Sequence, residues 1–107
     1  MEPHFDQELF KQALADGNIV WRQHALGKMI VRDISRAEVL DVLEYGELIQ
    51  SYAYDKPFPS ALFLGFSESR PIHVVASFDE SQQQVFVITV YEPDLTIFEP
   101  DFKTKRN

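Results

Sequence analysis

The sequence contains no cysteine. Disulfides, thiolate zinc sites and cysteine nucleophiles are excluded with it. Basic residues are scarce: ten Lys and Arg stand against seventeen Asp and Glu, giving a formal net charge of −7. Proteins that hold nucleic acid mainly through its phosphates are usually basic, so the overall balance argues against strong, unaided nucleic-acid binding. Long apolar runs are also missing. The longest is about five residues, far short of a membrane span, so no membrane partner is expected. Met1-Glu2-Pro3-His4 shows no basic segment followed by an apolar one, and no secretory signal is expected. The four glycines, Gly17, Gly27, Gly46 and Gly65, are far apart, which excludes a glycine-rich phosphate loop. No nucleophile elbow is present either. The expectation left standing is a cytoplasmic domain held together by packing alone.

What is present suffices for that. Apolar residues make up 45% of 107, and nine Phe, four Tyr and one Trp supply bulk for a core. This is room for a single domain, residues 1–107, and the composition excludes disorder throughout. The charge is uneven. Between residues 22 and 36 stand Arg22, Lys28, Arg32 and Arg36 against Asp33 alone, and the tail from residue 103 to 107 carries another +3. A local cationic patch on an acidic body can still hold one or two phosphates.

Hydrophobic spacing predicts helices over residues 5–15 and 21–32 and a third starting at Ser35. Asp16-Gly17-Asn18 stops the first, with Gly17 suited to a left-handed cap. In the second, Ala25, Leu26, Met29 and Ile30 form an apolar face, while His24, Lys28 and Arg32 share the polar side. Ser35-x-x-Glu38 is a capping box, and Gly46 closes the third helix. Glu38, Asp41 and Glu44 read as a solvated acidic edge. After Gly46 the period becomes extended, predicting strands over 48–54, 61–66, 72–78 and 84–91. The last two are apolar on both parities and are placed centrally. Short links make the sheet mostly antiparallel. The expected fold is α+β: N-terminal helices followed by a four-stranded antiparallel sheet. Phe98 and Phe102 are expected to pin the C-terminal segment, with the basic tail of residues 104–107 fraying beyond them.

Candidate chemistry is distributed. His4 is set aside as untethered. A zinc site needs three or four converging ligands, and no carboxylate stands at a suggestive spacing from His24 or His73, so no metal or other cofactor is expected. What remains is His24, His73, Thr89 and Tyr91 as catalytic candidates, with Lys28 and Arg32 for substrate binding. Such a set can cleave RNA without metal. The ribose 2′-OH attacks the adjacent phosphorus, a base takes its proton, an acid protonates the leaving 5′-oxygen, and cations stabilise the phosphorane. Histidine suits the proton steps because it titrates near neutrality. His73 and Tyr91 share a face only if paired residue numbers on the last two strands sum to an even value, as in 73 opposite 91.

Three blocks then carry a resemblance. The segment from His24 through Lys28, Met29 and Arg32 to Ile34-Ser35 resembles H-A-x-x-R-M-x-x-R-x-I-S. Tyr52, Asp55, Pro57, Pro59-Ser60 and Leu62-x-Leu64-Gly65 follow Y-x-x-D-x-P-x-P-S-x-L-x-L-G. Pro71-Ile72-His73-Val74-Val75, then Ile88-Thr89-Val90-Tyr91-Glu92-Pro93 and Phe98, resemble P-h-H-V-V, I-T-V-Y-x-P and W, where h is any apolar residue. Together, over residues 19–103, these are similar to a small bacterial family, domain of unknown function 4258. The resemblance implies a RelE/barnase-like ribonuclease fold and a toxin-like, metal-independent endoribonuclease. By position it implies roles for His24, Lys28, Arg32, His73, Thr89 and Tyr91. It also implies an RNA substrate and an antitoxin partner of zinc-ribbon type; a homodimer is left open. Lys28 replaces the pattern's Arg, turning a bidentate phosphate contact into a point contact, and Phe98 replaces Trp. The alternative is a non-catalytic protein-interaction module of the same fold.

Overall fold

The structure, a computed structural model, describes residues 6–107. His4 and the predicted helix start at residue 5 lie outside the described residues. Helix α1 (Gln7–Ala15) opens on Asp6, whose Oδ1 accepts from the Leu9 amide at 3.1 Å. It closes through Gly17 at φ +76°, a backbone conformation that costs a residue without Cβ nothing. Strand β1 (Ile19–Trp21) leads into α2 (Gln23–Arg32), which ends where Asp33 turns left-handed at φ 54°. Helix α3 (Arg36–Tyr45) carries the predicted capping box. The Glu38 amide donates to Ser35 Oγ at 3.1 Å, and the Ser35 amide donates to Glu38 Oε1 at 2.9 Å. Strands β2 (Glu47–Tyr52), β3 (Ser60–Ser67), β4 (Arg70–Asp79) and β5 (Gln84–Tyr91) follow.

The sheet has five strands in the order β1-β5-β4-β3-β2. This corrects the four-stranded antiparallel expectation: β1 pairs parallel to β5, Ile19 opposite Val85 and Trp21 opposite Val87. Three residues cannot display a period of two, and their partner lies more than sixty positions along the chain, so local patterning does not reveal the strand. The other pairings are antiparallel, and β4 and β5 are interior as predicted.

Strand alternation then sorts the sheet into two faces. Ala61, Phe63, Ile72, Val74, Ala76, Phe78, Val85, Val87 and Val90 face the helices and form the core with Phe10, Met29, Val39 and Leu43. Helix α3 approaches so closely that a Cβ on Gly65 would lie 2.7 Å from the Val42 side chain. The other face carries Leu62, Leu64, His73, Val75, Ser77 and Tyr91. Two irregular segments cross it: the 53–59 loop at one end and residues 93–107 at the other.

Arg70 joins the layers. Its guanidinium donates to the Arg32 and Asp33 carbonyls at 3.1 and 2.8 Å and pairs with Glu38 at 3.1 Å. The Ser67 hydroxyl, the Ser35 amide and this guanidinium hold the Glu38 carboxyl down at about 2, against 4.5 ordinarily. Glu38 is therefore a joint between α3 and β4, not part of a solvated edge; Asp41 and Glu44 remain exposed. The tail is also tied down, contrary to the fraying expected. Phe98 bridges Lys105, and the Arg106 guanidinium donates to the Leu95 carbonyl at 2.7 Å and pairs with Glu99 at 3.0 Å.

Candidate functional site

His73 sits opposite Tyr91, the even register that puts both on one face. The ring is fully buried. Nε2 lies 2.7 Å from the Phe102 carbonyl oxygen, and Nδ1 lies 3.3 Å from the Tyr91 hydroxyl. A carbonyl only accepts, so Nε2 carries the proton, and burial holds the imidazole pKa down and the ring neutral. Nδ1 is then bare and accepts from Tyr91. Phe98 stands edge-on to the ring at 4.8 Å between centroids. With both nitrogens occupied and no solvent access, His73 has no free site for proton exchange with a substrate. His73 thus stands between Tyr91 and the C-terminal segment rather than at an open surface, and the proton-transfer role expected of it finds no exposed ring nitrogen.

Tyr91 is half-buried, and burial pushes its hydroxyl pKa up, so at neutral pH it is a donor. It lines an open pocket of about 430 Å³ with Arg32, Glu92, Asp94, Phe98 and Lys105. The route by which Arg32 reaches it explains the helix. Ala25 and Met29 are buried, so His24, Lys28 and Arg32 lie along the flank beside them, and of the three Arg32 lines the pocket. His24 is exposed and Lys28 half-buried. At 1.5 Å rise per residue, His24 lies about 12 Å along the axis from Arg32. The six predicted residues therefore do not form one hollow. Arg32 and Tyr91 meet; Lys28 is one turn away and His24 two. Thr89, opposite Val75, is on the Tyr91 face two residues back along β5.

The family comparison agrees with these elements. The profile of the family described as Domain of unknown function (DUF4258) matches residues 21–92. The chain belongs to this family. The matched span of this DUF4258 chain runs from the end of β1 through β5, and leaves α1 and the segment bearing Phe98 and Phe102 outside it. Curated proteins and solved structures give no match.

A second set of residues, in the block from Asp55 to Ser60 to which no chemistry is assigned from the sequence, lies on the same DUF4258 face. Asp55, Lys56, Phe58 and Ser60 come together with Arg22 and Ser77 around a pocket of about 140 Å³. The Ser60 hydroxyl donates to Asp55 Oδ2. Phe58 stacks on Phe86 at 5.5 Å, and the Arg22 guanidinium lies 4.8 Å from the centre of the Phe86 ring. The signal lies in the D-x-P-x-P-S block, where a carboxylate and a hydroxyl flank the two prolines. Glu92, to which the sequence assigns no role, lines the pocket with Tyr91. Among the described residues no group of three His, Asp or Glu side chains stands close enough to hold a metal ion, and no helix is long and apolar enough to cross a membrane.

Proposed function

We propose that this protein is a metal-independent endoribonuclease of the RelE/barnase-like group, with the reacting phosphate at the Arg32–Tyr91 pocket. The observation that carries the reading is that a guanidinium, a protonated phenol and the carboxylate of Glu92 line one solvent-open hollow. The 2′-OH attacks phosphorus as Glu92 takes its proton. The bond to the 5′-oxygen breaks as Tyr91 donates to it, leaving a 2′,3′-cyclic phosphate and a 5′-hydroxyl. Arg32 neutralises the charge that grows on the phosphorane, Lys28 adds a cation one helical turn away, and solvent returns the proton from Glu92 to Tyr91. The Tyr91 hydroxyl exchanges its 3.3 Å bond to His73 for the leaving oxygen as it donates. His24, two turns away, holds a neighbouring phosphate, and Thr89 offers a hydroxyl farther along the same face, outside the pocket lining. The same reading makes the chain toxin-like, neutralised by an antitoxin partner.

The test is incubation with single-stranded RNA in EDTA. Cutting with cyclic phosphate ends is expected, with Tyr91→Phe and Arg32→Ala each slowing it at least about tenfold while the fold stays intact. Full activity in both variants removes this site.

A second reading, a non-catalytic interaction module, is favoured by the sealing of His73. It predicts no cleavage by folded protein, harmless expression in a bacterial host, and a stable protein complex. Growth arrest relieved by a neighbouring gene points back to the nuclease.

A further inference from the structure

Gly46 alone separates α3 from β2. β2 then pairs with β3 only from Ser60 to Leu64, so Gly65, Phe66 and Ser67 run on past its end. The notch left there is a groove of about 460 Å³ that shares no residue with the Arg32–Tyr91 pocket. We propose that it is a docking site for a partner protein, which seats one arginine side chain against Tyr45 and Phe66 with Asp41 as its counter-ion. The inference needs neither reading of the Arg32–Tyr91 pocket.

Two glycines shape the groove. A Cβ on Gly46 would lie 2.6 Å from the Leu64 carbonyl oxygen, and one on Gly65 would lie 2.7 Å from the Val42 side chain. Helix and strand therefore meet closely at its base, where Val42 and Leu64 are buried. Its other apolar lining is aromatic: Tyr45 is 79% exposed and Phe66 56%. A single exposed apolar side chain is ordinary, whereas two aromatics in one groove make a contact surface.

Charge then selects the occupant. The charged lining is Asp41 and Glu47, with no cation among it. Glu47 already takes an ammonium from the C-terminal segment, with Lys103 Nζ 3.4 Å from both carboxylate oxygens. Asp41 is exposed and has no ion pair among the described residues. It stands one helical turn before Tyr45, on the same flank of α3. A cation against an aromatic ring and beside a carboxylate gains from both. A guanidinium does so better than an ammonium, because it is flat, stacks on rings and meets a carboxylate with two parallel N–H groups.

The chain's own charge of −7 works against a second copy and for a basic partner. The exposed rim favours a protein over a small free cation. A free cation would stay largely in water there, whereas an arginine anchored in a partner brings its neighbours onto Tyr45 and Phe66.

The experiment follows the backbone amide NMR shifts of the full chain during titration with a capped Gly-Leu-Arg-Leu-Gly peptide, and with the same peptide bearing Gln in place of Arg. The arginine peptide is expected to shift the Gly46, Glu47, Gly65 and Phe66 amides saturably and to bind about tenfold tighter than the glutamine peptide. Tyr45→Ala and Asp41→Asn, both at exposed side chains, each weaken it about two- to fivefold. Tyr45→Phe keeps the ring and binds as the parent chain does. Glu80→Gln, at an exposed acid in the turn after β4, changes nothing. No shift in the groove, equal binding of the two peptides, or equal losses in Asp41→Asn and Glu80→Gln overturns the docking site. Spermidine shifting the same amides as tightly as the peptide makes the occupant a free cation, and shifts that grow with protein concentration alone make it a second copy; either result also overturns it. None of these readouts depends on RNA cleavage, so the nuclease reading and the docking site stand or fall separately.

Discussion

The two faces of the sheet solve the same packing problem in different ways. Toward the helices, a dozen or more apolar side chains interlock, and no single polar contact decides the arrangement. On the opposite face the cover is two pieces of irregular chain, and each is held at a few named points. Residues 93–107 are held by the Phe102 carbonyl on His73, by Phe102 against Phe66, by the Lys103–Glu47 pair and by the Arg106 bonds. The 53–59 loop is held by the Asp55–Ser60 bond and the Phe58–Phe86 stack. Burial of hydrocarbon scales with area and tolerates substitution of one apolar group by another, whereas a buried polar bond fails as a unit. The Tyr91 and Asp55 pockets both lie on the second face. That is where irregular chain can present polar groups without disturbing the core.

The sharpest way to break the comparison is to cut into the core. Phe63 is 2% exposed and stacks on Phe10 at 5.3 Å. Phe63→Ala is expected to cost about 3–5 kcal/mol in urea unfolding. A cost under about 1 kcal/mol would mean that the helices, rather than the sheet, carry the core.

Next comes His73. Its folded-state pKa is depressed by burial, so in the acid range the unfolded chain binds a proton that the folded chain does not. The stability from the neutral ring is complete above its unfolded pKa of 6.5 and is lost as pH falls below that value. His73→Phe keeps the bulk but leaves the Phe102 carbonyl and the Tyr91 hydroxyl without their partner. The expected cost is about 1–3 kcal/mol at pH 8. The dependence of stability on pH just below 6.5 should also become shallower. An unchanged pH profile would show that the ring titrates alike in the folded and unfolded chain and that the bonding assigned to it is wrong.

These differences also explain what was legible in the sequence. The interior strands could be read because β4 and β5 are apolar on both parities, and the α3 start because Ser35 and Glu38 carry their own geometry. β1 was hidden because its partner is distant in the chain. The capping-box glutamate was read as solvated because Arg70, thirty-two positions later, cannot be placed beside it without the sheet. For the candidate site the sequence supplied residue types but not depth. His73 has the side chain of a proton-transfer group, and only the path of residues 93–107 over the sheet shows that the ring is closed off. The 12 Å between His24 and Arg32 was implicit in helical rise, yet spacing on one stripe is easily mistaken for convergence.

The smallest expected effect probes the edge of the second face. Arg106 is partly exposed, and its Glu99 pair has its two side chains 41% and 43% exposed. Such a pair contributes little to global stability, under about 1 kcal/mol. Locally the same side chain closes a loop: its Nε donates to the Leu95 carbonyl, while the Arg106 amide donates to the Ile97 carbonyl at 2.8 Å and the Glu99 amide to Thr104 at 2.8 Å. Arg106→Ala should therefore leave the urea midpoint nearly unchanged and still speed amide hydrogen exchange at Glu99 and Phe102, whose bonds break when the segment opens. The Val74 and Val87 amides, on the central strands, should exchange as before. If all four sites speed up together, the C-terminal cover and the core unfold as one unit, and the two faces do not differ in the way their contacts suggest.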